Sequence, residues 1–155
     1  MPVVTADAII LQAFSYGETS RILRLLTTTH GVQSTIARGA RRPRSRYGGI
    51  LEAFSEGVAT FYVKENRDLQ TLSEFELTCS RQGLGADLLR FGGASLIAEV
   101  VLRAAEEEPQ PGLFARVARA LQRLEAEPVA HLQAAILSEA WQLIACLGFA
   151  PELDD

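Results

Sequence analysis

A change of hydrophobic period near Gly83 constrains this chain more than any other feature of its sequence. Before it, apolar residues come in short β-branched or alternating runs separated by turn residues. Residues 3–14 mix alternation with a β-branched run, and Gly17 marks a turn. Residues 20–27 carry Ile22, Leu23, Leu25 and Leu26 around Arg24, and residues 32–37 follow Gly31. Residues 50–63 predict a longer strand, and the polar connection 64–68 leads to a last one over 69–78. Short strands of this kind cannot leave open hydrophobic edges without an aggregation hazard, and closing the sheet removes it. The expectation for residues 1–80 is therefore a five-stranded antiparallel β-barrel. An OB-fold and an SH3-like barrel both meet the pattern.

Beyond Gln82-Gly83-Leu84-Gly85 the period becomes helical. Leu89, Ile97, Val100, Val101 and Ala104 share a stripe, with Arg90, Glu99 and Arg103 assigned to the wet side. Pro109 to Gly112 stop that helix. Leu113, Val117, Leu121 and Leu124 mark a second, with Arg116, Arg119 and Arg123 off its stripe. A third opens at Pro128, runs through Leu132, Ile136, Trp141, Ile144 and Leu147, and stops at Gly148 and Pro151. The predicted class is α+β in two modules: the barrel over 1–80, then an α-helical domain over 81–155 whose three helices, within 84–148, pack against it.

Composition narrows the function. Charges such as Glu99 and Arg103 interrupt the apolar stretches, so no run of about 18 uncharged apolar residues exists to cross a membrane. The N-terminus has no basic segment ahead of its apolar run, which argues against a secretory signal. Cys79 and Cys146 lack motif spacing and read as small core hydrophobes in a reducing cytoplasm. The net charge of −4 argues mildly against nucleic acid. Its distribution argues the other way: residues 1–81 hold ten basic and eight acidic side chains, whereas residues 82–155 hold five and eleven.

Five of those basic residues, Arg38, Arg41, Arg42, Arg44 and Arg46, fall within nine positions. Gly39, Pro43, Gly48 and Gly49 make the segment a loop, and no Asp or Glu lies between Glu18 and Glu52 to neutralise it. Guanidinium forks match phosphate geometry and stack on bases. Ser45 adds a phosphate contact and Tyr47 a stacking face. The bland alternative is a solvated loop whose arginines pair with the acidic helical half. Lys64 and Arg67 bracket a hairpin tip and extend the basic surface, although Glu65 and Asp68 sit among them. Phe61 and Tyr62 are adjacent in a strand and point to opposite faces, one toward the core.

Catalytic signatures are missing. Lys64 is the one lysine and does not stand in a phosphate-loop context. Gly83-Leu84-Gly85 is too short for a dinucleotide fingerprint. His30 and His131 read as turn and helix-surface residues, and with two scattered cysteines they make no zinc site. Glu106-Glu107-Glu108 reads as a solvated helix end. The expectation is a binding protein without cofactor or metal.

The order of several segments resembles the RecO family of bacterial recombination mediators. They are Ala8-Ile9-Ile10-Leu11, Gly17-Glu18-Thr19-Ser20-Arg21-Ile22-Leu23, Leu25-Leu26-Thr27 with Gly31, and Ala37-Arg38-Gly39-Ala40-Arg41-Arg42 with Ser45, Gly49, Leu51 and Phe54. Leu143 through Leu147-Gly148-Phe149-Ala150-Pro151 to Asp154 is similar as well. The resemblance implies an N-terminal OB-fold that binds single- and double-stranded DNA, strand annealing, partnership with RecR and single-stranded-DNA-binding protein, help in loading RecA, and a cytoplasmic, nucleoid-associated location without membrane contact. Family members continue beyond the equivalent of Asp155, often into a cysteine-rich zinc module. Two other readings compete: a protein-interaction adaptor whose arginines meet an acidic surface, and an RNA-binding OB module.

Overall fold

Strand-forming sequence separated by glycine turns gives five strands: β1 (Val3–Tyr16), β2 (Ser20–Thr27), β3 (Gly31–Ala37), β4 (Glu56–Tyr62) and β5 (Leu69–Cys79). The computed structural model describes residues 2–104 and 108–148. The strands close into a barrel in the order β1-β2-β3-β5-β4. Antiparallel neighbours must alternate in direction round a ring, which an odd number of strands cannot do. One pair is therefore parallel, β3 with β5, through Ser34 opposite Leu69 and Ile36 opposite Thr71. This corrects the expectation of a wholly antiparallel barrel.

Period-two alternation fills the interior. Ala8 and Ile10 of β1, Leu23 and Leu25 of β2, Ala37 of β3, Ala59 and Phe61 of β4, and Leu72 and Phe75 of β5 form one buried cluster. Ala40, Tyr47 and Leu51, from the long β3–β4 connection, complete it. Residues 50–55 were expected to be strand and are not. Phe54 has φ 74, which breaks an extended run, and Leu51 and Phe54 are buried instead. The segment still touches β1: Phe54 N donates to Ile10 O, and Ile10 N donates to Ser55 O.

A short 3-10 turn, Gln82–Gly85, precedes three helices: α1 (Leu88–Ala104), α2 (Leu113–Ala126) and α3 (Val129–Cys146). The chain divides into two units, a barrel unit that holds residues up to Arg81 and a helical unit that holds most of the residues from Gln82 on. Within the helical unit, Ile97 and Val101 of α1, Val117, Leu121 and Leu124 of α2, and Leu132, Ala135, Ile136 and Leu143 of α3 are buried. Two stripe assignments reverse. Leu89 is exposed and Arg90 is buried, because the Arg90 guanidinium donates to the Leu124 and Glu125 carbonyls at the end of α2 and to the Asp87 carboxylate. The Arg90 backbone N–H also donates to Asp87, and with that guanidinium it holds the Asp87 carboxyl below the usual carboxylate range. Trp141 is exposed, and Glu139 takes an inward position beside it in sequence, paired with Arg116 and Arg123. Both cysteines are exposed free thiols, not core residues. Glu106, Glu107 and Pro151 lie outside the described residues.

Candidate nucleic-acid interface

The connection from Arg38 to Ser55 is a chain of tight turns, closed by bonds such as Arg42 N to Gly39 O and Gly48 N to Ser45 O. Gly39 and Gly48 have φ 70 and 56, so these turns require residues without a Cβ penalty. The loop is anchored from beneath by Ala40, Tyr47 and Leu51, which leaves the intervening arginines on its outer side. Arg38, Arg41, Arg42, Arg44 and Arg46 are all exposed. None forms an ion pair with a described residue, whereas Arg21 nearby reaches Glu52 at 3.9 Å.

The loop residues are not equivalent. Arg41 is a brace: its Nε donates to Ser20 O at 3.1 Å, its Nη2 to Gly17 O at 2.5 Å, and its backbone N–H to Thr19 O. These bonds tie the loop to the β1–β2 turn. Ser45 is half-buried, and its Oγ accepts from Tyr47 N at 3.1 Å. Arg46 lies over the Tyr47 ring, 5.4 Å from its centroid. Arg38, Arg42 and Arg44 are left to face solvent.

Tyr47 does not offer a stacking face. Its exposure is 3%, its ring belongs to the barrel core, and its hydroxyl donates to Leu72 O at 3.2 Å. Burial pushes its phenol above the ordinary value, against the pull of Arg46. Of the aromatic pair in β4, Phe61 is fully buried and Tyr62 half-buried. His30 is a turn residue, bonded to Thr29 and edge-on to Phe61.

Lys64 and Arg67 occupy the β4–β5 turn, which Gln70 organises by accepting from Lys64 N and donating to Lys64 O and Arg67 O. They help line a cavity of about 110 Å³ with Tyr62 and Leu69. Along β1 this turn and the arginine loop belong to different ends: Tyr62 pairs with Val3 at the start of β1, whereas the arginine loop is tied to the turn that follows Tyr16 at its end. Across β5 they are closer: Tyr62 pairs with Thr71, Thr71 with Ile36, and Arg38 follows two residues on.

Sequence reasoning passed over two exposed aromatics. Phe14 and Tyr16, at the end of β1, are 43% and 53% exposed. No sequence signal singles them out: Ile9-Ile10-Leu11, where β1 is irregular between Ile10 and Gln12, reads equally as a fully buried run.

Among the described residues no three His, Cys, Asp or Glu side chains gather as a metal would need, and no helix is long and apolar enough to cross a membrane. Residues 1–81 match the family model for the N-terminal part of recombination protein O, and residues 85–155 match the model for its C-terminal part. The DNA repair protein RecO of Synechococcus elongatus is 37% identical over 149 residues, which cover 96% of this chain and 55% of that protein. That of Salinibacter ruber is 39% identical over 158 residues, covering 98% and 58%. That of Bacillus subtilis is 32% identical over 149 residues, covering 96% and 57%. The chain thus spans a little over half the length of these curated relatives. With both family models matched in order along it, the chain belongs to the RecO family.

Proposed function

We propose that this chain serves DNA repair and recombination as a non-catalytic DNA-binding module, gripping single- and double-stranded DNA by its phosphates through the arginine loop. The observation that carries the reading is a turn-rich loop, rooted in the barrel core, that holds five exposed arginines without an ion pair among the described residues. A rooted loop presents its charges in fixed places, and guanidinium forks match phosphate oxygens. The family relationship extends the reading to annealing of complementary strands and to RecA loading with RecR and single-stranded-DNA-binding protein. Such work on arbitrary sequences gains nothing from base-edge readout, which fits contacts to phosphate alone.

The test is a salt series. Each phosphate of a single strand that a variant no longer neutralises lowers the slope of log K against log salt by about 0.7. Replacing Arg38, Arg42 and Arg44 with alanine spares the Arg41 brace and is expected to lower the slope by about 2. Unrelated oligonucleotides of equal length should lose affinity alike. Exposed substitutions of this kind move stability by no more than about 0.5 kcal/mol, which thermal unfolding checks. An unchanged slope in a folded triple variant removes the loop from the DNA surface.

A further inference from the structure

We propose that Phe14 and Tyr16 are stacking platforms for unpaired DNA bases, and that they give this surface a preference for single strands over duplex; the proposal rests on the arginine loop gripping phosphates. Three observations meet at the end of the β1–β2 ribbon. The first is an extra residue in β1. Ile10 pairs with Leu25 and Gln12 with Arg24, so two steps along β1 match one along β2. A bulge of this kind changes which side of the strand each later residue faces. Before it, Ala8 and Ile10 point into the barrel; after it, Ala13 opposite Leu23 packs on the core. Phe14 and Tyr16, two apart and so on one face, are thereby turned outward. Without the bulge both rings would point into the barrel.

The second is position. Arg41 bonds to Gly17 O and Ser20 O, the residues that follow Tyr16 and pair with it. The loop that would hold phosphates is thus fastened to the turn next to the rings. The third is charge. From Ala8 to Leu51 the sequence has seven arginines and one acid, Glu18. Arg24, which pairs with Gln12 on the same face as Phe14, is one of the seven. An apolar partner would gain from the rings but not from this charge, whereas a single strand carries both a π-face and a phosphate at every nucleotide. Duplex bases already stack on one another, so only unpaired bases can use the rings.

The experiment uses the full chain. Phe14→Ala, Tyr16→Ala and the double variant are titrated with a single-stranded oligonucleotide and with a duplex of equal length, beside the triple arginine variant. Each alanine is expected to weaken single-strand binding about tenfold, with the salt slope and duplex affinity unchanged. Phe14→Leu, which keeps apolar cover without a π-face, should weaken it too and guards against an alanine variant that fails to fold. Tyr16→Trp in a Trp141→Phe background should lose emission when the single strand binds. Full single-strand affinity in the folded double variant, or equal loss on duplex, overturns the stacking role while the slope change of the arginine variant keeps the DNA reading. An unchanged slope there as well overturns both.

Discussion

Tyr47 stands directly after the last of five clustered arginines, yet its ring closes the barrel and not a nucleic-acid site. Its hydroxyl bond to Leu72 O ties the loop to β5 across the core. Tyr47→Phe keeps the packing and loses one buried hydrogen bond, so stability should fall by about 1 kcal/mol in denaturant titration. The pH dependence follows from the raised phenol value. The folded chain holds that proton more tightly than the unfolded chain does. The contribution is complete below the ordinary tyrosine value of about 10 and fades as pH rises through the folded value. As pH rises from neutral through the ordinary tyrosine value and beyond, the wild type should lose more stability than Tyr47→Phe; parallel curves would show that the phenol is not held neutral by the fold. The sequence makes the cationic cluster legible because five arginines without an acid need no structure to be recognised. It does not show which loop residues point inward, since a turn-rich segment has no period from which direction can be read.

At the scale of elements, strand positions apart from residues 50–55 were legible from alternation and turn glycines, and the helices from their spacing. The parallel pair was legible in principle, since five strands in a closed ring force it. The bulge was not, because Ile9-Ile10-Leu11 reads equally as a fully buried run. Helix faces failed at two places: Arg90, assigned to the wet side, is buried because its guanidinium satisfies carbonyls that end α2, and Trp141, assigned to the stripe, is exposed while Glu139, met by two arginines, lies inward. Gly57 shows a constraint that composition hides. A Cβ there would collide with the Glu76 carbonyl oxygen, and with ring carbons of Phe75 at 2.7 and 2.8 Å. Gly57 and its partner Leu77 sit beside an irregularity in the β4–β5 ladder. Gly57→Ala should therefore cost about 1–3 kcal/mol or more in equilibrium unfolding. Gly49→Ala, with no atom within 4 Å of the new methyl, should stay within about 0.5 kcal/mol. Equal melting of the two variants would deny the close approach of β4 to β5 at this point.

Across the whole molecule the charge is divided, with a balance of +2 in residues 1–81 (ten basic, eight acidic) and −6 in residues 82–155 (five basic, eleven acidic). A net-negative chain can still bind a polyanion, because screening limits each charge to about 10 Å at ordinary salt and makes the local cluster decisive. The barrel has two basic loops at opposite ends of β1: the arginine loop beyond Tyr16, and the turn with Lys64 and Arg67 beyond the strand that pairs with Val3. If a strand runs from one to the other, the five loop arginines supply a slope of at most about 3.5, and Lys64 and Arg67 add about 1.4. The second contribution depends on length. A single strand of about 4 nucleotides held by the arginine loop should not feel the Lys64→Ala, Arg67→Ala double substitution. One of about 16 nucleotides, the upper end of what one OB-fold covers, should show the slope fall by about 1.4. Titrating both lengths across a salt series decides it. A slope that does not change at either length leaves Lys64 and Arg67 as an ordinary charged turn and confines the path of the strand to the end of the barrel where Phe14, Tyr16 and the arginine loop stand.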